Sequence, residues 1–280
     1  MEAAISWGFH FRLGIGRISR VDNERGKPVS VWAKQIAKVS LQSLNHLLWP
    51  AVCLNCGIGI CEGDRSLCTN CWDEILGCTA GDYCPRCGKE IKAGKFGLVG
   101  GVCPGCPDKE FYFDRIARAG VYEKAMRNMI LSFKHGQTEL NSVLGFLANS
   151  TLCGSVFYDR IELLVPVPLH WSRRLVRGYN QSLVITKKLK HPTGKISTDL
   201  VRIRRTKSQL VVASPAARAR NVAGAFAVCD GHDFAGRTVC LVDDIKTTGA
   251  TLNECAKILK QAGASKVFAL VLAVAGQDTT

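Results

Sequence analysis

The sequence predicts an α/β protein in which a mostly parallel sheet is preceded by a small metal-stabilised module. Three observations carry that prediction. From residue 111 onward strand-like and helix-like segments alternate, and strands such as 266–275 (K-V-F-A-L-V-L-A-V-A) are apolar on both faces. Ten of the fourteen cysteines lie between Cys53 and Cys106. Finally, residues 238–251 read T-V-C-L-V-D-D-I-K-T-T-G-A-T, an apolar run that stops at two acids and a hydroxyl-rich loop.

At 280 residues the chain has room for about two domains. Its 47% hydrophobic and 21% charged residues fit a globular protein. No apolar run reaches the roughly 20 residues of a membrane helix. The start, M-E-A-A-I-S-W-G-F-H-F-R, has no basic region ahead of an apolar core, so no secretory signal is expected and the cytoplasm is the expected compartment.

Residues 1–47 form an N-terminal extension without a usable motif, although 31–49 are amphipathic enough for one helix. Residues 48–110 make the metal module. Its four C-x-x-C pairs are Cys53/Cys56, Cys68/Cys71, Cys84/Cys87 and Cys103/Cys106. Two thiolates at that spacing share one tight knuckle, and two knuckles complete a tetrahedral all-thiolate zinc site. A chain without an export signal disfavours disulfides, and four pairs in series exceed what one redox centre needs. Two structural zincs are therefore expected, with no open coordination position on either. Spacing leaves open whether the pairs combine in sequence or crosswise. Cys61 and Cys78 fit no pair and are either free thiols or substitutes for a named ligand. With so few apolar residues, the module must draw most of its folding free energy from metal, on the order of 10 kcal/mol per site.

Residues 111–280 make the α/β domain. A strand is expected at 115–122, then a helix with Met126, Met129, Ile130 and Phe133 on one face, closed by Lys134-His135-Gly136. A second helix is expected at 139–152 and a buried strand at 161–167, followed by a turn stiffened by Pro166 and Pro168. Residues 180–190 read as helix, ended by His191-Pro192, and short strands fall near Val201 and at 225–228. After the acid pair, Leu252, Cys255, Ala256 and Leu259 recur at helical spacing. Cys153, Cys229, Cys240 and Cys255 sit in apolar surroundings and read as small core residues.

Strand, acid pair, loop and helix in that order suit a phosphorylated sugar. Backbone N–H groups of Thr247, Thr248, Gly249, Ala250 and Thr251, with the helix dipole, would wrap a phosphate. Gly249 lets the main chain approach the anion. Asp243 and Asp244, at the strand's carboxyl end, would accept hydrogen bonds from neighbouring ribose hydroxyls. The competing reading is an ordinary turn in which Asp and Thr only cap a helix. The loop is neither a P-loop nor a dinucleotide fingerprint, since Gly-Lys-Ser/Thr and G-x-G-x-x-G are both missing.

Net charge is +14, and residues 170–221 hold thirteen Lys or Arg against one acid, Asp199. That block suits a polyanion, either pyrophosphate or a nucleic-acid backbone, or is a basic face kept for solubility. Within it, 165–182 (V-P-V-P-L-H-W-S-R-R-L-V-R-G-Y-N-Q-S) begins at another strand's carboxyl end and crowds Arg173, Arg174, Arg177 and Gly178 into a loop. Guanidinium groups bind phosphate oxygens bidentately.

The Asp-Asp/Thr-Thr-Gly string resembles the phosphoribosyl-pyrophosphate (PRPP) loop of type I phosphoribosyltransferases. Residues 165–182, R-x-x-x-T-K-S-Q at 202–209, R-x-R-N-V-x-G-A-F at 218–226 and the loop, in that order behind zinc knuckles, are similar to the ComF family over about residues 48–276. The resemblance implies a double zinc ribbon plus a type I phosphoribosyltransferase domain, Mg²⁺ with PRPP, and for some relatives a role in DNA uptake in competence. It departs from the family at Lys246, a position usually apolar there.

Two functions follow. As an enzyme, the chain would transfer phosphoribosyl to a nitrogen acceptor. Asp243 and Asp244 would hold the ribose hydroxyls, Thr247–Thr251 the 5′-phosphate, and Arg174 and Arg177, with Lys134, the leaving pyrophosphate. Arg218, Arg220 and Asn221 fall where a lid could sit, and His135 and His170 are candidate acids or bases, or structural. Alternatively it is a non-catalytic PRPP sensor or nucleic-acid-associated factor, whose ribbons and basic surface meet single-stranded DNA or a DNA-processing protein.

Overall fold

The computed structural model describes residues 51–60, 66–91, 102–106, 111–206 and 214–276. The helix expected at 31–49, Cys61 and residues 207–209 of the T-K-S-Q motif lie outside the described residues. The chain divides into Met1–Pro50 and Ala51–Thr280, and every described residue belongs to the second unit.

In chain order the described elements are α1 (Thr69–Thr79), β1 (Arg115–Val121), α2 (Lys124–Lys134), α3 (Asn141–Cys153), β2 (Leu163–Pro166), α4 (Trp171–Arg177), α5 (Gln181–Thr186), β3 (Lys195–Ile196), β4 (Leu200–Arg202), α6 (Pro215–Val222), β5 (Phe226–Val228), β6 (Thr238–Lys246), α7 (Ala250–Gln261) and β7 (Lys266–Val274). Five strands form one parallel sheet in the order β1-β7-β6-β2-β3. The short strands β4 and β5 do not join it but pair with each other as an antiparallel ribbon.

Side-chain alternation explains the two-sided core. Along β6, Cys240 and Val242 belong to one cluster with α2, α3 and the first zinc knuckle, and Val239 and Leu241 to another with α7. Leu252, Cys255, Ala256 and Leu259 are the buried residues of α7, at the spacing the sequence shows. The face read on α2 is likewise buried, with Ala125 added to it.

The metal module has no separate core in its first half. Cys53, Cys71, Ile75 and Cys78 lie in the same cluster as α2 and α3. Ile75 is fully buried, a contribution of roughly 1.5–3 kcal/mol. The close approach depends on Gly120 of β1, where a Cβ would stand 2.8 Å from the Cys78 carbonyl oxygen. In the second half, Cys84, Cys87 and Cys106 form a small cluster with Ile91, Val102 and Phe111. Arg86 fastens it, donating to the carbonyls of Phe111 and Asp114 at 2.8 Å each and to that of Phe113.

Some expectations change. The arginine-rich stretch after β2 is helix α4 rather than loop, because His170 caps it and Gly178, with φ of +79°, ends it. Helix α5 stops at Thr186, short of residue 190. Cys240 and Cys255 are core residues, but Cys153 and Cys229 are exposed. Cys153 is the last residue of α3, and Cys229 follows β5 where the chain leaves the ribbon. Among the described residues no helix is long and apolar enough to cross a membrane.

Candidate active site

From β2 the chain goes outward to β3, and from β6 it goes the other way to β7. Two neighbouring parallel strands whose continuations diverge leave a crevice at their carboxyl ends, the usual ligand position in such sheets. Pro166 is in register with Val242, and the Val167 N–H reaches the Val242 carbonyl at 2.9 Å. Asp243 and Asp244 therefore fall at the mouth of that crevice.

Both carboxylates line one cavity of about 160 Å³, together with Lys134, Arg173, Arg177, Gln181, Arg202, Thr247 and Thr251. A tight hollow of about 20 Å³ shares Asp243, Ile245, Thr247 and Thr251 with it and is walled by the loop from Lys246 to Leu252. A larger cavity of about 470 Å³, beside Trp72 and Phe146, is remote from this chemistry and has Asp73 as its charged lining residue.

Asp243 is half-buried. Its Oδ1 accepts from the Ser182 hydroxyl at 2.9 Å and from the Asp244 N–H at 2.9 Å. Removal from water, then the adjacent Asp244 charge, push its pKa up to about 7, against the pull of those two donors and of Lys134. Asp244 is buried and its Oδ2 lies 3.0 Å from the Lys134 ammonium. That ion pair occupies one oxygen of one acid, while both acids still face the cavity.

Gly249 sits at φ +85° as the N-cap of α7. This left-handed conformation lets the loop turn into a helix whose N-terminal dipole favours an anion, with the Ala250 N–H donating to the Thr248 hydroxyl at 3.4 Å.

The opposite wall is cationic. His170 opens α4 by accepting from the Ser172 N–H at 3.3 Å, with Nδ1 2.9 Å from the Ser172 hydroxyl oxygen. Burial, then the charges of Arg202, Arg205 and Arg173, hold its pKa below the usual imidazole range. It reads as a structural cap. Arg173 and Arg177, four residues apart, line the cavity, whereas Arg174 is exposed and is not part of its lining. Arg173 donates to the Thr206 carbonyl at 2.8 Å, and Arg202 to the Thr206 hydroxyl. Arg177 donates to Gln181 Oε1 at 3.3 Å. Gln181 Nε2 and Arg202 Nε are buried without a hydrogen-bond partner among the described residues. Burial and then the Arg173 charge lower the Arg202 pKa, and burial and then the Arg177 charge lower that of Arg173. Donors crowded to mutual repulsion make a wall suited to an anion.

The cysteines form two sequential tetrads, Cys53/Cys56/Cys68/Cys71 and Cys84/Cys87/Cys103/Cys106, each with its sulfurs within 4.8 Å of one another. The Cys56–Cys68 and Cys84–Cys106 sulfur separations are 3.6 Å, and Cys87–Cys103 is 3.5 Å. A zinc at about 2.3 Å from four sulfurs sets tetrahedral edges of about 3.8 Å, so each tetrad fits one structural zinc. Donors to sulfur are also present: Asn55 Nδ2 to Cys71 at 3.1 Å and the Cys103 N–H to Cys84 at 3.3 Å. Cys78 belongs to neither tetrad, and its thiol points at the Glu123 carbonyl 3.6 Å away.

A double zinc ribbon domain matches residues 44–108, and a phosphoribosyl transferase domain matches residues 181–280. Competence protein F of Haemophilus influenzae is 27% identical over 222 residues, 77% of this chain and 93% of that protein. DNA utilization protein YhgH of Salmonella typhi is 29% identical over 230 residues, 78% of this chain and 94% of that one. Competence protein ComFC of Bacillus subtilis is 26% identical over 210 residues, 71% of this chain and 80% of that one. The chain is a homologue of these competence F and YhgH proteins. It joins a double zinc ribbon to a phosphoribosyltransferase domain.

In this competence F homologue the transferase domain match starts at Gln181, so it includes the acid pair, the loop and Arg202 but not Arg173 or Arg177. Of the residues singled out from sequence, Asp243, Asp244, Arg177, Lys134 and the 247–251 loop come together, and Arg174 does not. Arg218, Arg220 and Asn221 lie on α6, away from the cavity lining. Sequence reading missed Arg202, Gln181 and Ser182 as wall residues. It assigned Arg174 with Arg177 to the pyrophosphate, whereas Arg173 and Arg177 are the pair that lines the cavity. The Arg173/Arg177 spacing of four would have chosen the right face had 171–177 been read as helix.

Proposed function

We propose that this protein binds PRPP with Mg²⁺ and transfers its phosphoribosyl group to a nitrogen acceptor, in the handling of incoming DNA. The observation that carries this reading is the junction of two hollows at the sheet's carboxyl edge, one walled by the glycine-threonine loop and the other by paired carboxylates facing three guanidinium groups. Their order suits a 5′-phosphate, a ribose diol and a pyrophosphate taken along one molecule. The role in DNA handling follows the printed names of the relatives, which concern competence and DNA utilization.

In this reading Asp243 and Asp244 accept hydrogen bonds from the ribose hydroxyls, and Thr247 to Thr251 enclose the 5′-phosphate. Arg173, Arg177 and Arg202 face the pyrophosphate, displacing Arg174 from that role. Nitrogen bonds to the anomeric carbon as the carbon–oxygen bond to pyrophosphate breaks. The leaving group departs with the electron pair, and the nitrogen's proton passes to solvent or a base. The guanidinium wall stabilises the departing charge, and the acids steady the positive charge that develops on the sugar. Two adjacent carboxylates at the cavity fit the way Mg²⁺ is held, through one or two carboxylates plus ligand phosphates. The metal would supply neutralisation of the pyrophosphate.

Calorimetric titration of the zinc-loaded chain with PRPP and Mg²⁺ tests the reading, with Asp243→Asn/Asp244→Asn as control. Binding that the double substitution abolishes, with pyrophosphate released over a panel of nucleobases and amines, supports the enzyme. Binding without release from any acceptor supports a sensor. Absence of binding by the unaltered chain removes both.

A further inference from the structure

Resting on the sugar-phosphate reading above, we infer that Ser182 is a positioning residue for Asp243. Its hydroxyl holds one carboxylate oxygen so that the other is presented to a single hydroxyl of the pentose. Ser182 thereby helps the site select an intact ribose diol.

The two acids are held alike. Asp243 Oδ1 receives both the Ser182 hydroxyl and the Asp244 N–H, at 2.9 Å each. Asp244 Oδ2 receives Lys134 at 3.0 Å. Among the described residues, no hydrogen bond or ion pair reaches Asp243 Oδ2 or Asp244 Oδ1. Each acid therefore keeps one oxygen for a ligand, and both acids line the same cavity. Two neighbouring hydroxyls, each with a proton to donate, match two such oxygens on adjacent residues. Two donors converging on Asp243 Oδ1 fix the carboxylate's orientation, whereas the Asp244 N–H alone would let it swing about one bond.

Ser182 is itself held from several sides. It lies on α5, 61 residues before Asp243, and is only 4% exposed. Its N–H donates to Asn180 Oδ1 at 3.1 Å, and Asn180 Nδ2 donates to the Val167 carbonyl at 3.1 Å. Val167 is fastened in turn to Val242, the residue before Asp243, through its N–H at 2.9 Å. The Ser182 carbonyl accepts from the Thr186 hydroxyl at 2.6 Å. From the end of β6 the bonds run through Val167 and Asn180 to Ser182 and return to β6 at Asp243, closing a ring around the acid. A buried helical serine can satisfy its hydroxyl on a carbonyl one turn back. This one gives its proton to the acid instead, the kind of support that holds a binding group in one orientation.

The test measures the affinity of the zinc-loaded full chain by calorimetry for ribose 5-phosphate, 2-deoxyribose 5-phosphate and 3-deoxyribose 5-phosphate. The unaltered chain is compared with Ser182→Ala and with Thr186→Val, which removes a hydroxyl that holds α5 without touching Asp243. The unaltered chain should bind ribose 5-phosphate at least about ten-fold more tightly than either deoxy sugar, the worth of one hydrogen bond to a carboxylate. Ser182→Ala should lower at least one of these two preferences by about three-fold or more, through loss of orientation at Asp243. Thr186→Val should leave both preferences in place. A serine that only fills space would weaken all three sugars alike or none, and either result overturns the inference. Loss of the same preference in Thr186→Val overturns it as well. If Ser182→Ala does not fold, Ser182→Cys, with its weak thiol donor, carries the same comparison. An unaltered chain that binds no sugar phosphate, or binds all three equally, overturns the sugar-phosphate reading and this inference with it. Preferences kept intact in Ser182→Ala overturn the inference alone.

Discussion

Replacing Asp243 by Asn should stabilise the protein at alkaline pH and leave it nearly unchanged in acid. Asp243 Oδ1 accepts from Ser182 and from the Asp244 N–H, and an Asn oxygen can accept from both. The substitution therefore removes charge and keeps the geometry. The folded carboxyl titrates near 7 against an ordinary 3.8, raised by loss of water and then by the Asp244 charge. A group whose folded pKa is raised binds its proton more tightly in the native state. Its contribution to stability is fully present below the unfolded pKa and is lost as pH rises through the folded one. The window is thus about pH 4 to 7. At one pKa unit per 1.36 kcal/mol, full ionisation costs about 4 kcal/mol, or roughly 2–4 where neighbouring dipoles relax. Urea unfolding of both zinc-loaded chains at pH 5, 6, 7 and 8 measures the difference. The variant should gain on the native chain steadily between pH 5 and 7 and hold its lead at pH 8. A difference that does not change with pH would mean that Asp243 ionises in the fold as freely as in water. The site would then store no electrostatic strain.

Two further outcomes follow from the geometry. Cys71→Ser should lower bound zinc from two ions per chain to one by elemental analysis and expose residues 51–79 to limited proteolysis, because a tetrad with three sulfurs loses much of the roughly 10 kcal/mol that zinc supplies; unchanged zinc content would contradict the ligand set. Arg202→Met should weaken Mg²⁺–pyrophosphate binding by about ten-fold or more, while Arg174→Met changes it less than about two-fold. Equal effects of the two substitutions would restore Arg174 to the cavity wall.

Much of this was legible in the sequence because it depends on local spacing. The C-x-x-C pairs announce two tetrads, and the run from Val239 to Asp244 announces a strand end with acids upon it. What escaped depends on contacts between distant segments. Arg202 reaches the cavity because the β4/β5 ribbon carries it there, and no periodicity around residue 202 encodes that. Arg174 and Arg173 are equivalent in composition, and the start of a seven-residue helix at His170 separates them. Pairing of the knuckles was similarly ambiguous, since spacing alone permits both sequential and crossed combinations. The convergence of the sulfurs makes it sequential, and the first pair of knuckles packs onto α2 and α3.

That packing also bears on why a zinc module precedes a ligand-binding sheet. The carboxyl end of α2 joins three parts of the molecule within five residues. The Phe133 carbonyl accepts from the Tyr179 hydroxyl, just beyond the arginine-bearing helix. Lys134 holds Asp244 at 3.0 Å. Gln137 Nε2 donates to the Leu54 carbonyl, inside the first zinc knuckle, at 2.9 Å. Leu54 lies between two ligands of the first tetrad, so its carbonyl is as fixed as the metal makes it. A helix end free to fray would let Lys134 leave Asp244, and the acid pair would lose its nearest counter-charge. The knuckle thus braces a segment that touches both Asp244 and Tyr179, two residues beyond Arg177. The ribbon is part of the site's support, since the Gln137 contact to its first knuckle holds the helix end that carries Lys134 against Asp244.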